Sequence, residues 1–77
     1  MLMLAFEVGR MGGVMPTIYN AANEKAVALF LDEKIKFNDI YRIISSCVEY
    51  FENVDNPDVE TILEYEQKVY QYIEERI

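Results

Sequence analysis

Six apolar residues in the middle of the chain recur at the spacing of an α-helix, and this pattern constrains the fold more than any other feature. They stand at i, i+3, i+4, i+7, i+8 and i+11, which places them on one face of a helix. No alternation of apolar and polar residues typical of a β-strand persists anywhere in the sequence. The pattern predicts an amphipathic helix over residues 39–52 with an inner face made of Ile40, Ile43, Ile44, Cys47, Val48 and Phe51.

The helix-breaking residues that precede this segment, two glycines and a proline, predict two earlier helices. An apolar segment over residues 1–10 ends at Gly12 and Gly13, because glycine readily adopts the left-handed conformation that stops a helix. Pro16 follows in a position typical of the first turn of a helix, where its missing N–H is not needed. A second helix is therefore expected over residues 16–32.

Short connections bound the third and fourth helices. Ile35 and Phe37, in the stretch EKIKF, are expected to lie in the core, and Asn38 is the predicted N-cap of the third helix. The stretch NVDNPD ends that helix, with Asn56 as the next cap and Pro57 as the first residue of a fourth helix over residues 57–77. Its expected inner face holds Val59, Ile62, Leu63, Val69, Tyr70, Ile73 and Ile77.

Four helices joined by short connections in 77 residues predict a single all-α domain, a small four-helix bundle over residues 1–77. The fourth helix carries Glu64 and Lys68 at i, i+4, a spacing that favours an ion pair.

The charge of the chain argues against nucleic acid as a partner. The formal net charge is −7, and residues 49–77 hold nine acidic and two basic residues. An acidic chain repels the phosphate backbone, and no patch of Lys and Arg interleaved with aromatic residues offsets this. No segment is long and apolar enough to predict a membrane span. A single cysteine, Cys47, fits a reducing compartment, so a cytoplasmic protein is expected.

The residue types needed for chemistry are scarce. The sequence has no histidine, which removes the Glu-x-x-His motif of di-metal bundles and the usual general base. The tract GRMGG lacks the spacing of a phosphate-binding loop. Tyr65 and Tyr72 fit packing at the edge of the core better than an aromatic pocket. We therefore expect no catalytic, cofactor-binding or metal-binding residue in this chain.

The stretch NAANE, residues 20–24, is the main candidate for function. Ile18, Ala22, Ala26 and Leu29 gather on one side of the second helix, whereas Asn20, Asn23 and Glu24 gather on another side together with Val27 and Leu31. Amides and a carboxylate mixed with aliphatic residues are typical of a partly buried contact surface, because the amides can pair with the backbone of another element. An ordinary solvated face and a ligand site are the alternatives.

The motif P-T-x-x-N-A-A-N-E at residues 16–24 is part of a longer family pattern. It follows LAFE at residues 4–7 and the Gly-Gly near residue 12, and A-V-x-x-F-L and I-x-F-x-D-I-x-x-I-I continue the pattern to residue 44. This run resembles the C-terminal helical domain of the 1-deoxy-D-xylulose 5-phosphate reductoisomerase family. Lys25 stands where that family tends to have an aliphatic residue.

The resemblance implies a parent enzyme larger than this chain. Members of the family bind NADPH and a divalent metal, Mg or Mn, and the residues that hold both lie upstream of the matching segment. The resemblance also implies a homodimeric parent and a domain detached from a longer chain. Asn20, Asn23 and Glu24 would then contact the catalytic domain. The isolated chain is expected to self-associate through its apolar first helix. The rival interpretation is a free-standing acidic module that binds a partner protein.

Overall fold

The computed structural model describes the backbone of residues 2–77 and the side chains from residue 4 onward. In this range the chain forms four α-helices: α1 (Leu2–Met11), α2 (Met15–Leu31), α3 (Phe37–Tyr50) and α4 (Val59–Glu74). The predicted all-α fold of four helices is confirmed. The predicted first residue of the first helix, Met1, lies outside the described residues.

The helix α2 is the centre of the bundle and contacts α1, α3 and α4. Its buried side combines large residues with three alanines, and small side chains let neighbouring helices approach closely. The helix α3 contributes the buried residues of its predicted stripe, and α4 contributes two more. The core of the described residues contains Val8, Val14, Met15, Ile18, Ala21, Ala22, Ala26, Ile40, Ile44, Cys47, Val69 and Ile73. Of the stripe predicted for α3, Ile40, Ile44 and Cys47 are buried, and its other three residues are half-buried.

The start of α3 differs from the prediction by two residues. Its N-cap is Lys36 and not Asn38, and the backbone N–H of Lys36 donates to Asp39 Oδ2 at 3.0 Å. Because the helix begins earlier, Phe37 lies in its first turn at the edge of the bundle. Its ring makes an edge-to-face contact with Phe30 but is 70% exposed. The predicted burial of Phe37 is therefore wrong, whereas Ile35 is half-buried.

The start of α4 also differs from the prediction. Its N-cap is Asp58, whose Oδ1 accepts a hydrogen bond from the backbone N–H of Thr61 at 2.8 Å. This hydrogen bond holds the pKa of the Asp58 carboxyl below its usual range. Asn56, the predicted cap, instead turns the chain with a positive φ of 48°. Pro57 precedes the helix, and α4 ends at Glu74 rather than at residue 77.

The buried face of α4 is rotated from the predicted one. Val69 and Ile73 are at its centre, and Tyr65 and Tyr72 pack against Phe51 of the α3 end on one flank. Three predicted inner residues are exposed: Val59 and Leu63 on the opposite flank of α4, and Ile77 beyond its last residue, Glu74.

The turn between α1 and α2 is attached to the connection between α3 and α4. Gly12 and Gly13 have φ values of 64° and 61°, which confirms the predicted left-handed stop. The side-chain oxygen of Asn53 accepts hydrogen bonds from the backbone N–H groups of Val14 and Met15, at 3.0 and 3.2 Å. Asn53 thus caps α2 from a position 39 residues away in sequence.

Of the helices in residues 2–77, none has the length and apolar character needed to cross a membrane.

Candidate docking surface

The exposed side of α2 forms a continuous stripe that runs the length of the helix. Pro16, Asn20, Glu24, Val27 and Leu31 are all exposed along it. Leu31, at the C-terminal end, is 73% exposed although it is a large aliphatic residue. We call these five residues together with Asn23 the α2 surface. Large exposed aliphatic residues beside polar groups are typical of a contact surface.

Glu24 is the polar centre of the α2 surface. Asn20 Nδ2 donates to Glu24 Oε1 at 3.3 Å, and the Tyr70 hydroxyl donates to Glu24 Oε2 at 3.4 Å. Burial and the nearby Glu24 carboxylate raise the pKa of Tyr70, so its hydroxyl stays protonated and remains a donor. A carboxylate has about four acceptor positions. Glu24 therefore retains capacity for donors of another molecule.

Asn23 and Lys25 border this centre in different ways. Asn23 is half-buried, and its amide makes no hydrogen bond within the described side chains, residues 4–77. Lys25 Nζ contacts Glu74 Oε1 at 2.8 Å, which joins α2 to the last turn of α4. This ion pair explains how a lysine is accommodated at a partly covered position of α2. The Asn23 amide, by contrast, is available to a docked element.

The residues of the chain offer little for catalysis. Across residues 2–77 the structure contains no group of three or more His, Cys, Asp or Glu side chains that could hold a metal ion. Burial raises the pKa of the Cys47 thiol to about 11, so almost no nucleophilic thiolate forms at neutral pH. Glu24 has hydrogen-bond donors around it but no histidine to exchange protons with. The arrangement suits recognition of another protein surface.

Asn20, Asn23 and Glu24 lie together on one side of α2, as the sequence analysis placed them. Tyr70 was expected on the inner side of α4, and its contact with Glu24 was not predicted. The two residues are 46 positions apart, and no local pattern indicates such a contact.

The fold is that of a small all-α domain, and the α2 surface gives it an exposed face on which polar and apolar side chains are mixed. The family whose model matches the chain, over residues 1–72, is the DXP reductoisomerase C-terminal domain. The chain belongs to this family.

Curated relatives agree with this assignment. The chain is 51% identical over 75 residues to the 1-deoxy-D-xylulose 5-phosphate reductoisomerase of Agathobacter rectalis, a match that covers 97% of this chain and 20% of the relative. It is 53% identical over 74 residues to the enzyme of the same name from Clostridium botulinum, covering 94% and 19%. For the Synechocystis enzyme the identity is 52% over 68 residues, covering 86% and 17%. The chain thus spans about a fifth of the length of these relatives. No solved structure matches it.

Proposed function

We propose that this chain serves as the C-terminal structural domain of an NADPH-dependent 1-deoxy-D-xylulose 5-phosphate reductoisomerase of non-mevalonate isoprenoid biosynthesis. In this role it packs against the catalytic domain and supports it, and it has no activity alone. The observation that carries the proposal is the α2 surface, which contains the NAANE motif in a chain of this family.

The chemistry of the reaction belongs to other parts of the parent enzyme in this proposal. NADPH would supply the hydride, and a divalent ion, Mg or Mn, would polarise the substrate oxygens. The residues described here do not fit either group, because their carboxylates are dispersed and no glycine-rich phosphate loop is present. The parent is a cytoplasmic homodimer in this proposal, and the contribution of this chain is mechanical.

Docking is supported by the aliphatic area that the α2 surface leaves exposed and by the hydrogen-bonding capacity that it leaves unused. Val27 and Leu31 expose aliphatic area that a catalytic domain would remove from water, at about 25 cal/mol for each Å². Glu24 and the Asn23 amide are positioned to pair with polar groups beside that apolar contact. A polar group buried in the interface without a partner would cost about 1–3 kcal/mol, so removing one of these should weaken docking.

The test is Glu24→Gln combined with Asn20→Ala in the full-length reductoisomerase that carries this domain. Glu49→Gln on the exposed side of α3 is the matched control, because it removes the same charge away from the α2 surface. We expect the double variant to lower the melting temperature and to speed limited proteolysis between the domains, with the control unchanged. Loss of turnover with folding, proteolysis and substrate binding all intact would overturn the docking role.

Exposed apolar residues on α1 support the related proposal that the isolated chain self-associates. Phe6 and Met11 are 64% and 51% exposed. In sedimentation experiments the native chain should associate, and the Phe6→Ser variant should associate less.

The rival interpretation, a free-standing acidic module, is not favoured, since the family match covers residues 1–72. An immunoblot of source cells that shows only a 77-residue polypeptide would favour it.

A further inference from the structure

A groove lies between the N-terminal half of α3 and the last turn of α4, and the connection between α2 and α3 closes one side of it. Its volume is about 430 Å³. Sites for small organic molecules in proteins have volumes of about 300–1,000 Å³. The groove shares no residue with the α2 surface, so it is a separate feature of the fold.

The inside of the groove is mainly aliphatic. Ile35, Ile43 and Ile73 line it, and they come from the connection, from α3 and from α4 respectively. One polar contact interrupts this lining, where the hydroxyl groups of Ser46 and Tyr72 share a hydrogen bond of 2.7 Å. A compact apolar group would therefore find aliphatic contacts on several sides and a pair of hydroxyl groups at one wall.

Cations surround this aliphatic lining although the chain as a whole is acidic. Lys34, Arg42 and Arg76 line the groove together with a single acidic side chain, Asp39. The groove thus contains three of the seven basic residues of a chain whose formal charge is −7. Residues 49–66, by contrast, contain seven acidic residues and no basic one. Opposite charge in a partly enclosed cleft attracts anions locally even where the net charge of the protein repels them.

The guanidinium of Arg76 is held in place without being neutralised. Its central carbon lies 3.7 Å from the centroid of the Tyr72 ring, and one nitrogen donates to the Tyr72 carbonyl at 3.1 Å. Within the part of the chain that the structure describes, Arg76 has no carboxylate partner. A guanidinium has five N–H donors, so most of them remain available to a ligand.

The other two cations are only weakly paired. Arg42 lies 3.4 Å from Asp39, and Lys34 lies 3.8 Å from Asp32, and both basic side chains are more than half exposed. Exposed pairs of this kind contribute little, so an incoming anion competes with them easily.

We propose that this groove binds a small organic anion. The compact apolar body of the ligand lies against the isoleucines, and its carboxylate, sulfonate or phosphate group pairs with Arg76 and with one or both of Lys34 and Arg42. A neutral apolar molecule would leave the cations unused. A cation would be repelled.

The test uses two dyes that differ in a single group, 8-anilinonaphthalene-1-sulfonate and N-phenyl-1-naphthylamine, which lacks the sulfonate. Each is titrated by fluorescence into the 77-residue chain, and the contact residues are located from amide chemical shifts. The variant is Lys34→Gln with Arg42→Gln, and the control is Lys68→Gln, which removes an exposed cation outside the groove.

We expect the sulfonate dye to shift amides of the groove and to bind more tightly than the neutral dye. Each cation that pairs with the sulfonate should contribute about threefold to the affinity, so the double variant should weaken binding about tenfold if both pair with it. The control variant should leave the affinity unchanged. Higher salt should weaken the sulfonate dye selectively. Any of three results would overturn the proposal: equal affinity for both dyes, an affinity of the double variant for the sulfonate dye that equals that of the native chain, or amide shifts confined to Phe6 and Leu31.

Discussion

Substitution of Asn53 by alanine tests the contact that joins the two inter-helix connections. In the native chain Asn53 Oδ1 accepts from the N–H groups of Val14 and Met15 in the first turn of α2. Val14, at the N-cap of α2, provides no side-chain cap, so Asn53 fulfils this role from a distance. Alanine removes both hydrogen bonds, the one that Oδ1 accepts from the backbone N–H of Val54 at 2.9 Å, and the weaker one from Asn53 Nδ2 to the Gly12 carbonyl at 3.3 Å.

The expected cost follows from what remains for the two amides. The Val14 N–H also donates to the Val54 carbonyl at 3.0 Å, and the Met15 N–H to the Gly12 carbonyl at 3.3 Å. Neither amide is therefore left without an acceptor. Replacing an N-cap oxygen by alanine costs about 0.5–2 kcal/mol, and we expect about 1.5 kcal/mol here. In a domain of this size that lowers the melting temperature by about 6–12 °C.

Thermal and urea unfolding followed by circular dichroism measure this change. Asn53→Asp is the matched control, because it keeps the accepting oxygen and places a negative charge near the positive end of the α2 dipole. We expect it to remain within about 0.5 kcal/mol of the native chain. If Asn53→Asp were as destabilising as Asn53→Ala, or if alanine cost nothing measurable, the capping role would be refuted.

Three further substitutions probe the same connection and the core. Gly12→Ala places a Cβ in open space and should cost only the left-handed conformation, about 1–2 kcal/mol. Gly13→Ala should cost at least about twice as much in urea unfolding, because its Cβ would lie 2.5 Å from the Val54 carbonyl oxygen and 2.6 Å from Asn53 Oδ1; equal costs would contradict this close approach. Burial raises the pKa of Cys47 from 9.0 to about 11, so its protonated thiol contributes stability that is complete below pH 9 and is lost between about pH 9 and 11. Relative to Cys47→Ala, the native chain should lose about 2 kcal/mol over that range, and parallel pH profiles would contradict the prediction.

The predicted helices are correct because their signals are local. The stripe around Ile44 and Cys47 repeats at the period of the helix itself, so it indicates both the helix and its buried side. The stop at Gly12 and Gly13 also depends only on the conformational freedom of those residues. Such features can be predicted from one short segment of sequence without knowledge of the rest of the chain.

The incorrect details concern which of several nearby residues begins a helix. Asn38 and Asn56 are good N-caps by composition, yet Lys36 and Asp58 occupy those positions. The connection lengths and the packing of each helix against α2 decide which residue starts the helix. The exposed Leu63 shows the same effect, because tyrosines on the other flank of α4 pack toward the α3 end.

The sequence by itself determined that the chain is all-α, where its four helices lie approximately, and, through the run over residues 4–44, its family. Only the tertiary structure decided that Asn53 caps α2, that Tyr70 contacts Glu24, and that Arg76 joins Lys34 and Arg42 at one groove. The reason is physical. Helical periodicity is a property of residues three or four positions apart, whereas these contacts join residues more than thirty positions apart, which only the packing of the helices brings together.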